Sequence, residues 1–185
     1  MGIDPVPGAR RRSAIRWALV VAPAILLGGL VSARMAGSTK GNPWWEGLAK
    51  PALQPPDWAF GVAWPILYLL IGTALALVIA TRGARLRWLG VGLFLVQLAM
   101  NYAWSPLFFR AHNISGALTL IGALFVTALA TAVVFGRVRR IAGWLMVPYL
   151  AWLSFAAGLN WKTGELNTDG GPRVQLGTEV AVPQK

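Results

Sequence analysis

The chain has 185 residues, of which 56% are hydrophobic and only 12% are charged, and this is too apolar for a soluble domain of that length. Its formal net charge of +11 comes from short basic clusters between apolar runs, which argues against the basic stripe or motif of a nucleic-acid-binding protein. With no cysteine and a single histidine, the chain lacks the groups for disulfides, thiolate metal sites and most acid–base constellations. The composition therefore predicts an integral membrane protein.

The N-terminal segment combines a basic tail with an apolar run. Residues 1–14 contain three consecutive arginines among proline and glycine, which predicts a basic N-terminal tail. The run at about 15–35 is long enough to cross a bilayer. Together they resemble a signal peptide, and Val31-Ser32-Ala33 imitates its cleavage site. Because the run is long for a signal peptide, we expect it to be retained as the first transmembrane helix.

A long loop is expected at residues 36–56, because a plain connection between membrane helices needs far fewer residues. The loop contains Trp44, Trp45, Lys50 and four prolines. This composition favours a lid that packs onto the helices. The alternative is a segment that its two tryptophans anchor at the membrane interface.

The second helix is expected at residues 57–81. Two prolines precede it and suit a loop followed by a first helical turn, while Asp57 places negative charge near the positive end of the helix dipole. Phe60, Trp64 and Tyr68 recur at every fourth residue and therefore lie on one face of this helix. We expect that face to bind a ligand. Aromatic anchoring at the membrane interface is the alternative for Phe60.

Three more apolar runs, at residues 86–109, 112–135 and 141–161, are each long enough to cross the membrane. Their short connections make consecutive helices antiparallel neighbours. The expected fold is an all-α transmembrane domain of five helices over residues 15–161. Residues 162–185 are polar and glycine-rich, and are expected to form a C-terminal tail. Arginine is concentrated on the N-terminal side of the bundle, which predicts a cytoplasmic N-terminus by the positive-inside rule.

The alternating directions of these helices bring several unusual side chains to one depth. Trp64, Asn101 and Trp152 are all expected about 10 to 14 Å below the side that carries the long loop. Polar groups in apolar helices need partners inside the bundle or in a cavity. We therefore expect a cavity under the loop, walled by Trp64, Trp152 and Trp104. The alternative is a tryptophan-rich core in which Asn101 and Asn160 form interhelical hydrogen bonds.

Three blocks that are rich in tryptophan, proline and asparagine follow one another along the chain. They are Trp44-Trp45-Glu-Gly-Leu48-Ala-Lys50-Pro51 with Pro55-Pro56 and Phe60-Gly-Val-Ala-Trp64-Pro-Ile-Leu67-Tyr68, then Asn101-Tyr102-Ala-Trp104-Ser-Pro106-Leu-Phe108-Phe109, and then Pro148-Tyr149-Leu-Ala-Trp152 with Gly158-Leu159-Asn160. In this order they resemble the TspO/MBR family of tryptophan-rich sensory proteins and translocator proteins, the peripheral benzodiazepine receptor family. The resemblance implies a five-helix pocket, closed by the first loop, that binds porphyrins, sterol-like lipids or benzodiazepine-type drugs.

The resemblance also implies which residues bind the ligand. Carried over position by position, it implicates Trp45, Phe60, Trp64, Asn101, Trp152 and Ala156. Depth and polarity add Tyr68, Trp104 and Asn160 to the predicted ligand-binding residues. Two positions depart from the family pattern. Leu159-Asn160 is followed by Trp161 where the proposed cholesterol motif needs a tyrosine, so cholesterol binding is not predicted, and Trp45 stands where a tyrosine is usual.

These observations predict a membrane receptor or sensor-like protein for porphyrins and other flat apolar ligands, with a role in tetrapyrrole transport or homeostasis. A light-dependent porphyrin-degrading protein and a passive transporter of apolar metabolites are the alternatives. No catalytic residue, metal ligand or required cofactor is predicted, and His112 is expected to be a solvated turn residue. The expected partners are membrane lipids and a porphyrin or haem-like ligand, without nucleic acid. Gly92, Ala99 and Ala103 favour a homodimer contact and intramolecular packing equally.

Overall fold

The structure, a computed structural model, describes residues 7–37, 41–168 and 171–172. Within these ranges the chain is nearly all helical, and five of its helical segments are long and apolar enough to cross a membrane. The predicted five-helix membrane bundle is therefore confirmed. The elements are α1 (Pro7–Ala36), α2 (Pro43–Gly47), α3 (Asp57–Ala80), α4 (Arg87–Ser105) with a π-helical turn (Pro106–Arg110), α5 (Ile114–Val138), α6 (Arg140–Leu145), α7 (Val147–Leu166), β1 (Asn167–Thr168) and β2 (Gly171–Pro172).

The first helix begins earlier than the sequence pattern predicts. It starts at Pro7, a residue that suits the first helical position because the N–H that it lacks has no helical partner there. The next proline is Pro23, and the arginines and alanines between them are good helix formers. The prediction of a tail is therefore wrong for residues 7–14, while residues 1–6 lie outside the described residues.

The fifth span is divided into α6 and α7 in place of the single helix predicted for residues 141–161. Pro148 lacks a backbone N–H and cannot continue the hydrogen-bond ladder, so the division falls at Met146. The helix then continues past its predicted end, and the prediction of a tail is wrong for residues 162–166. The rest of that predicted tail lies largely outside the described residues, at 169–170 and 173–185.

The turn between α4 and α5 is shaped by a proline and a capping asparagine. Pro106 ends the regular helix, and the chain widens into the π-helical turn, where the N–H of Ala111 donates to the carbonyl oxygen of Pro106 at 3.0 Å. Asn113 then caps α5, because its Oδ1 accepts from the N–H of Gly116 at 2.6 Å. The turn buries Phe108 and Phe109 directly beneath the long loop.

Glycine allows α1 to lie close to its neighbours. A Cβ atom added to Gly72 of α3 would lie only 2.7 Å from the Cα of Ala22, so the two backbones are nearly in contact there. A hydrogen bond ties α1 to α4 as well, because the Ser32 hydroxyl donates to the carbonyl oxygen of Tyr102 at 2.6 Å. The first helix is therefore an integral wall of the bundle.

Arginines gather at one end of the bundle, the end opposite the long loop. The described members of this cluster are Arg11, Arg12 and Arg16 on α1, Arg82, Arg85 and Arg87 at the connection of α3 with α4, and Arg137, Arg139 and Arg140 at the connection of α5 with α6. Three basic residues on the opposite side, Lys40, Arg173 and Lys185, lie outside the described residues. A cytoplasmic arginine-rich end, and with it a cytoplasmic N-terminus, stays a prediction.

Candidate ligand-binding site

A cavity of about 300 Å³ lies in the half of the bundle beneath the long loop. Side chains from α1, α3, α4, α5 and α7 line it, and the loop contributes Trp45 and Gln54 to its lining. Eight of the nine predicted ligand-binding residues are on this lining: Trp45, Phe60, Trp64, Tyr68, Asn101, Trp104, Ala156 and Asn160. Their convergence on one space is a finding of the structure, whereas ligand binding by them stays a prediction.

The floor of the cavity carries a network of three polar side chains. The Tyr68 hydroxyl donates to Oδ1 of Asn101 at 2.8 Å, and Nδ2 of Asn101 donates to the Tyr149 hydroxyl at 3.0 Å. All three side chains are buried. An amide group has two N–H donors and two oxygen lone pairs, and these two bonds use only part of that capacity. Asn101 lines the cavity, so it offers hydrogen-bonding capacity to a polar group of a ligand.

A second asparagine fixes an indole on the wall of the cavity. Trp104 donates its Nε1–H to Oδ1 of Asn160 at 3.2 Å, and Nδ2 of Asn160 donates to the carbonyl oxygen of Ile114 at 3.0 Å. The Trp104 ring also stacks on Phe108, with ring centroids 5.0 Å apart. Asn160 therefore forms interhelical hydrogen bonds and also lines the cavity. The sequence offered a cavity and a hydrogen-bonded core as alternatives, and for this residue both are present.

Trp152 is not among the residues that line the cavity, and its ring contacts Trp64 directly, so the two indoles are not opposite walls of this space. Ligand binding by Trp152 stays a prediction. The Trp152 ring instead meets the edges of Phe60 and Trp64, with centroid distances of 5.6 and 6.2 Å. It lines a shallow apolar groove between α3 and α7 on the outside of the bundle. Trp64 and Trp152 were expected at one depth, but depth does not fix the direction of a side chain. Leu153 borders the cavity, and Trp152 is turned from it by about 100° around the axis of α7.

The cavity-facing side of α7 follows a helical period. Leu153, Ala156, Asn160 and Thr163 are spaced by three or four residues and all line the cavity. Ala156 and Asn160 were among the predicted ligand-binding residues, and this row shows why they share a face. Leu153 and Thr163 were missed, although the spacing of their neighbours was the signal that could have found them.

The long loop, here called the lid, is folded and contributes Trp45 and Gln54 to the wall of the cavity. Its short helix α2 is capped by Asn42, whose Oδ1 accepts from the N–H of Trp45 at 3.2 Å. Lys50 donates from Nζ to the carbonyl oxygen of Trp45 at 3.0 Å and to that of Glu46 at 3.3 Å. This places a positive charge at the carbonyl end of α2, where it is favourable. The described part of this loop is therefore a small ordered structure, while residues 38–40 lie outside the described residues. That the loop acts as a lid stays a prediction.

The lid is anchored to the bundle at two points near its middle, Trp45 and Ala49. Trp45 is buried against Phe108 and Phe109, with centroid distances of 5.9 and 5.5 Å. Beyond the end of α7, Asn167 is 1% exposed and exchanges two hydrogen bonds of 2.9 Å with the backbone N–H and carbonyl of Ala49. Asn167 was not among the predicted residues, since a polar residue after a helix carries no signal of a partner 118 positions away.

His112 lies outside the cavity. It is exposed in the turn after α4, and its ring stacks on Trp44 with centroids 4.4 Å apart. Its φ of 54° lies in the left-handed region that polar turn residues tolerate better than apolar ones. It does not line the cavity, so a haem-like ligand in the cavity would not meet this imidazole.

The first helix supplies a wall that the predicted site did not include. Leu26, Gly29, Leu30, Ser32 and Ala33 of α1 all line the cavity. Gly29 is required there because the Tyr68 ring occupies the space that a side chain would fill. A mainly apolar cavity with a few polar groups at its floor, between transmembrane helices and beside a folded loop, has the features that small-molecule sites share.

Comparison with known proteins assigns this bundle to a family. The sequence profile of the TspO/MBR family matches residues 18–166, and the chain belongs to that family. It is 39% identical to the tryptophan-rich protein TspO of Chlorobaculum tepidum over 149 residues, which are 78% of this chain and 94% of the relative. The translocator protein of Sus scrofa is 39% identical over 137 residues, 73% of this chain and 80% of the relative. Protein CrtK of Rhodobacter capsulatus is 36% identical over 125 residues, 67% and 78% of the two chains.

The family and the five spans together establish a multi-pass integral membrane protein. The match begins within α1, covers the other four transmembrane segments in full and continues to the end of α7. It therefore includes every residue that lines the cavity.

Proposed function

We propose that this protein is a membrane receptor or sensor-like protein that binds a porphyrin, or another flat apolar ligand such as a sterol-like lipid or a benzodiazepine-type drug, beneath the lid. The cavity carries the proposal: Phe60, Trp64 and Trp104 supply flat apolar surface, and the amide of Asn101 supplies a polar group at the floor. Relatives named translocator protein and tryptophan-rich sensory protein support a role in sensing or translocation, which for this chain we connect to tetrapyrrole homeostasis.

The volume of the cavity indicates how different ligands are held. About 300 Å³ is at the lower end of the range for small-molecule sites, about 300 to 1,000 Å³. A small drug-like ligand fits this space with the lid in place. A tetrapyrrole macrocycle requires the lid to move or the ring to extend between helices toward the lipid.

We propose a binding role and not an enzymatic one. Among the residues that the structure describes, no group of three or more His, Asp or Glu side chains is placed to hold a metal ion. Asp57 is the one carboxylate on the described lining of the cavity, and acid–base catalysis generally needs a positioned partner for such a group. Light-dependent breakdown of a bound porphyrin would depend on the photochemistry of the ligand itself.

A homodimer through α4 is part of the proposal. Gly92, Ala99 and Ala103 are exposed on the outer surface of α4, between exposed side chains such as Val96. They therefore do not serve packing within the chain, which was the alternative drawn from the sequence. Small residues on a lipid-facing helix allow a second helix to approach closely, and cysteine cross-linking at Ala99 in membranes tests that contact.

The decisive experiment fills the cavity and compares that change with an equal change in the lipid. Ala156→Trp adds an indole to the cavity lining, whereas Ala123→Trp adds the same group to the exposed surface of α5. Binding of protoporphyrin IX is followed by quenching of tryptophan fluorescence in nanodiscs, with empty nanodiscs as the blank. We expect saturable binding by the parent and by Ala123→Trp. For Ala156→Trp we expect an affinity about tenfold weaker or worse, because the added indole overpacks the cavity that the ligand fills, and overpacking costs about 1–3 kcal/mol.

Two outcomes would contradict the proposal. Equal affinities for the two tryptophan variants would place the ligand outside the cavity. Quenching that does not saturate in the parent would show partition into lipid without a binding site.

A further inference from the structure

We propose that the groove between α3 and α7 is a lateral portal, through which the apolar ligand of the cavity passes to and from the hydrocarbon of the bilayer, and that the Trp152 indole is its gate. The inference rests on the proposed function, since it takes the cavity to hold an apolar ligand. It adds the route by which that ligand arrives and the residue that controls the route.

The groove opens toward lipid at mid-depth in the membrane. Its walls are apolar side chains, among them Ala63, Ile66 and Leu70 on α3 and Ala151, Trp152 and Phe155 on α7. The α3 members lie about 9 to 20 Å along the helix from Asp57, well inside a hydrocarbon layer about 30 Å thick. Ile66 is 52% exposed and Phe155 is 38% exposed. The medium that covers the groove is therefore lipid hydrocarbon, and a molecule that reaches it from there is apolar.

One layer of aromatic rings separates the groove from the cavity. Trp152 lines the groove, and its ring meets Phe60 and Trp64 edge-on at centroid distances of 5.6 and 6.2 Å. Phe60 and Trp64 are themselves on the cavity lining. Displacement of these rings would join the two spaces without separating any backbone hydrogen bonds.

The backbone on both sides of this layer is weakened by proline. Pro65 lies within α3 next to Trp64, and Pro148 lies at the start of α7, just after the division at Met146. Each proline removes one helical hydrogen bond and favours local bending. Small outward movements of α3 and α7 therefore cost less here than in an unbroken helix.

Trp152 is held less firmly than Trp104. Its Nε1–H is buried and has no hydrogen-bond partner among the described residues. The Nε1–H of Trp104, by contrast, donates to Asn160, and the Trp104 ring stacks on Phe108. Rotation of the Trp152 ring toward lipid breaks no hydrogen bond, whereas rotation of Trp104 does. The geometry thus makes Trp152 the movable ring and Trp104 a fixed wall.

The first test measures the kinetics of exchange. Ala151→Trp fills the groove without changing a residue of the cavity lining, and Ala123→Trp on α5 is the matched lipid-facing control. Association and dissociation of protoporphyrin IX are followed by stopped-flow quenching in nanodiscs, beside the equilibrium affinity. We expect Ala151→Trp to slow both rates several-fold with the affinity unchanged, and Ala123→Trp to exchange as the parent does. Parent-like rates in Ala151→Trp would overturn the portal.

A second test does not depend on porphyrin. The chain contains no cysteine, so Ala156→Cys places a single thiol in the cavity, with Leu159→Cys as a second position if that variant does not fold. Octyl methanethiosulfonate dissolved in the bilayer labels this thiol. We expect Ala151→Trp to slow the labelling and Ala123→Trp to leave it unchanged. If Ala151→Trp slows the labelling but porphyrin does not bind, the proposed ligand is refuted and the portal is kept. If Ala151→Trp and the parent are labelled at equal rates, the portal is refuted even where porphyrin binds.

Discussion

Two halves of one bundle, built from the same helices, are packed in opposite ways. In the half beside the arginine cluster, Phe94 and Phe135 stack with centroids 5.9 Å apart, and a Cβ added to Gly143 would lie 2.8 Å from the Cα of Gly136. In the half under the lid, Trp64 and Trp104 border a cavity of about 300 Å³. Glycine brings backbones together, whereas rings that stack along the walls hold helices apart. The cavity therefore results from the sizes of the residues at each depth of the bundle: small residues close one half, and large rings keep the other half open.

The largest effect is expected from adding one methyl group to the close-packed half. Gly143→Ala forces a Cβ against the backbone of α5, which cannot yield as a side chain would. We expect a loss of about 1–3 kcal/mol in the free energy of unfolding, seen as a lower midpoint in thermal unfolding followed by circular dichroism. Gly158→Ala is the control, since nothing lies within 4 Å of its added Cβ, and alanine favours a helix by up to about 1 kcal/mol over glycine. Equal losses in both variants would mean that close packing at Gly143 does not hold this half together.

A more local effect is expected at Asn167, whose hydrogen bonds join the end of α7 to the lid. Asn167→Ala removes three side-chain hydrogen bonds, two to Ala49 and one to Thr163. Backbone groups left without partners cost about 1–3 kcal/mol, so amide hydrogen exchange in residues 43–50 should accelerate by about tenfold or more. Glu165→Gln removes the exposed ion pair with Lys162, which contributes little, and should leave exchange unchanged. A lid that stays protected in Asn167→Ala would show that Trp45 alone anchors it.

The smallest effect, with the opposite sign, is expected at the border between the two halves. Gln97 is fully buried, and neither amide atom has a hydrogen-bond partner among the described residues. Gln97→Met keeps the length of the side chain and removes the unpaired amide, so we expect a gain on the order of 1 kcal/mol. Asn101→Leu, one helical turn away, breaks bonds to Tyr68 and Tyr149 and should lose stability. A loss in Gln97→Met, measured as a lower unfolding midpoint, would mean that the amide is paired in the membrane.

Much of the architecture follows from local sequence pattern. The lengths of the apolar runs predicted five spans, and the spacing of Phe60, Trp64 and Tyr68 predicted a shared face that does line the cavity. The proline pair before Asp57 placed the start of α3 correctly. These properties depend on residues within a few turns of one another, where the helical rise and period apply directly.

Other features were decided by contacts between distant parts of the chain. Asn167 holds the lid through Ala49, and α1 lines the cavity because Gly29 makes room for the Tyr68 ring. Trp152 was assigned to the cavity from its depth and from the family resemblance, but the structure turns it toward the groove. Depth follows from a rise of about 1.5 Å per residue, so the sequence by itself determines it. The sequence does not determine the rotation of a helix about its axis in the same way. Lipid is as apolar as the interior of the bundle, so the hydrophobic pattern does not show which face of a helix points inward. Only the fit of rings against glycines in the folded bundle decides that rotation.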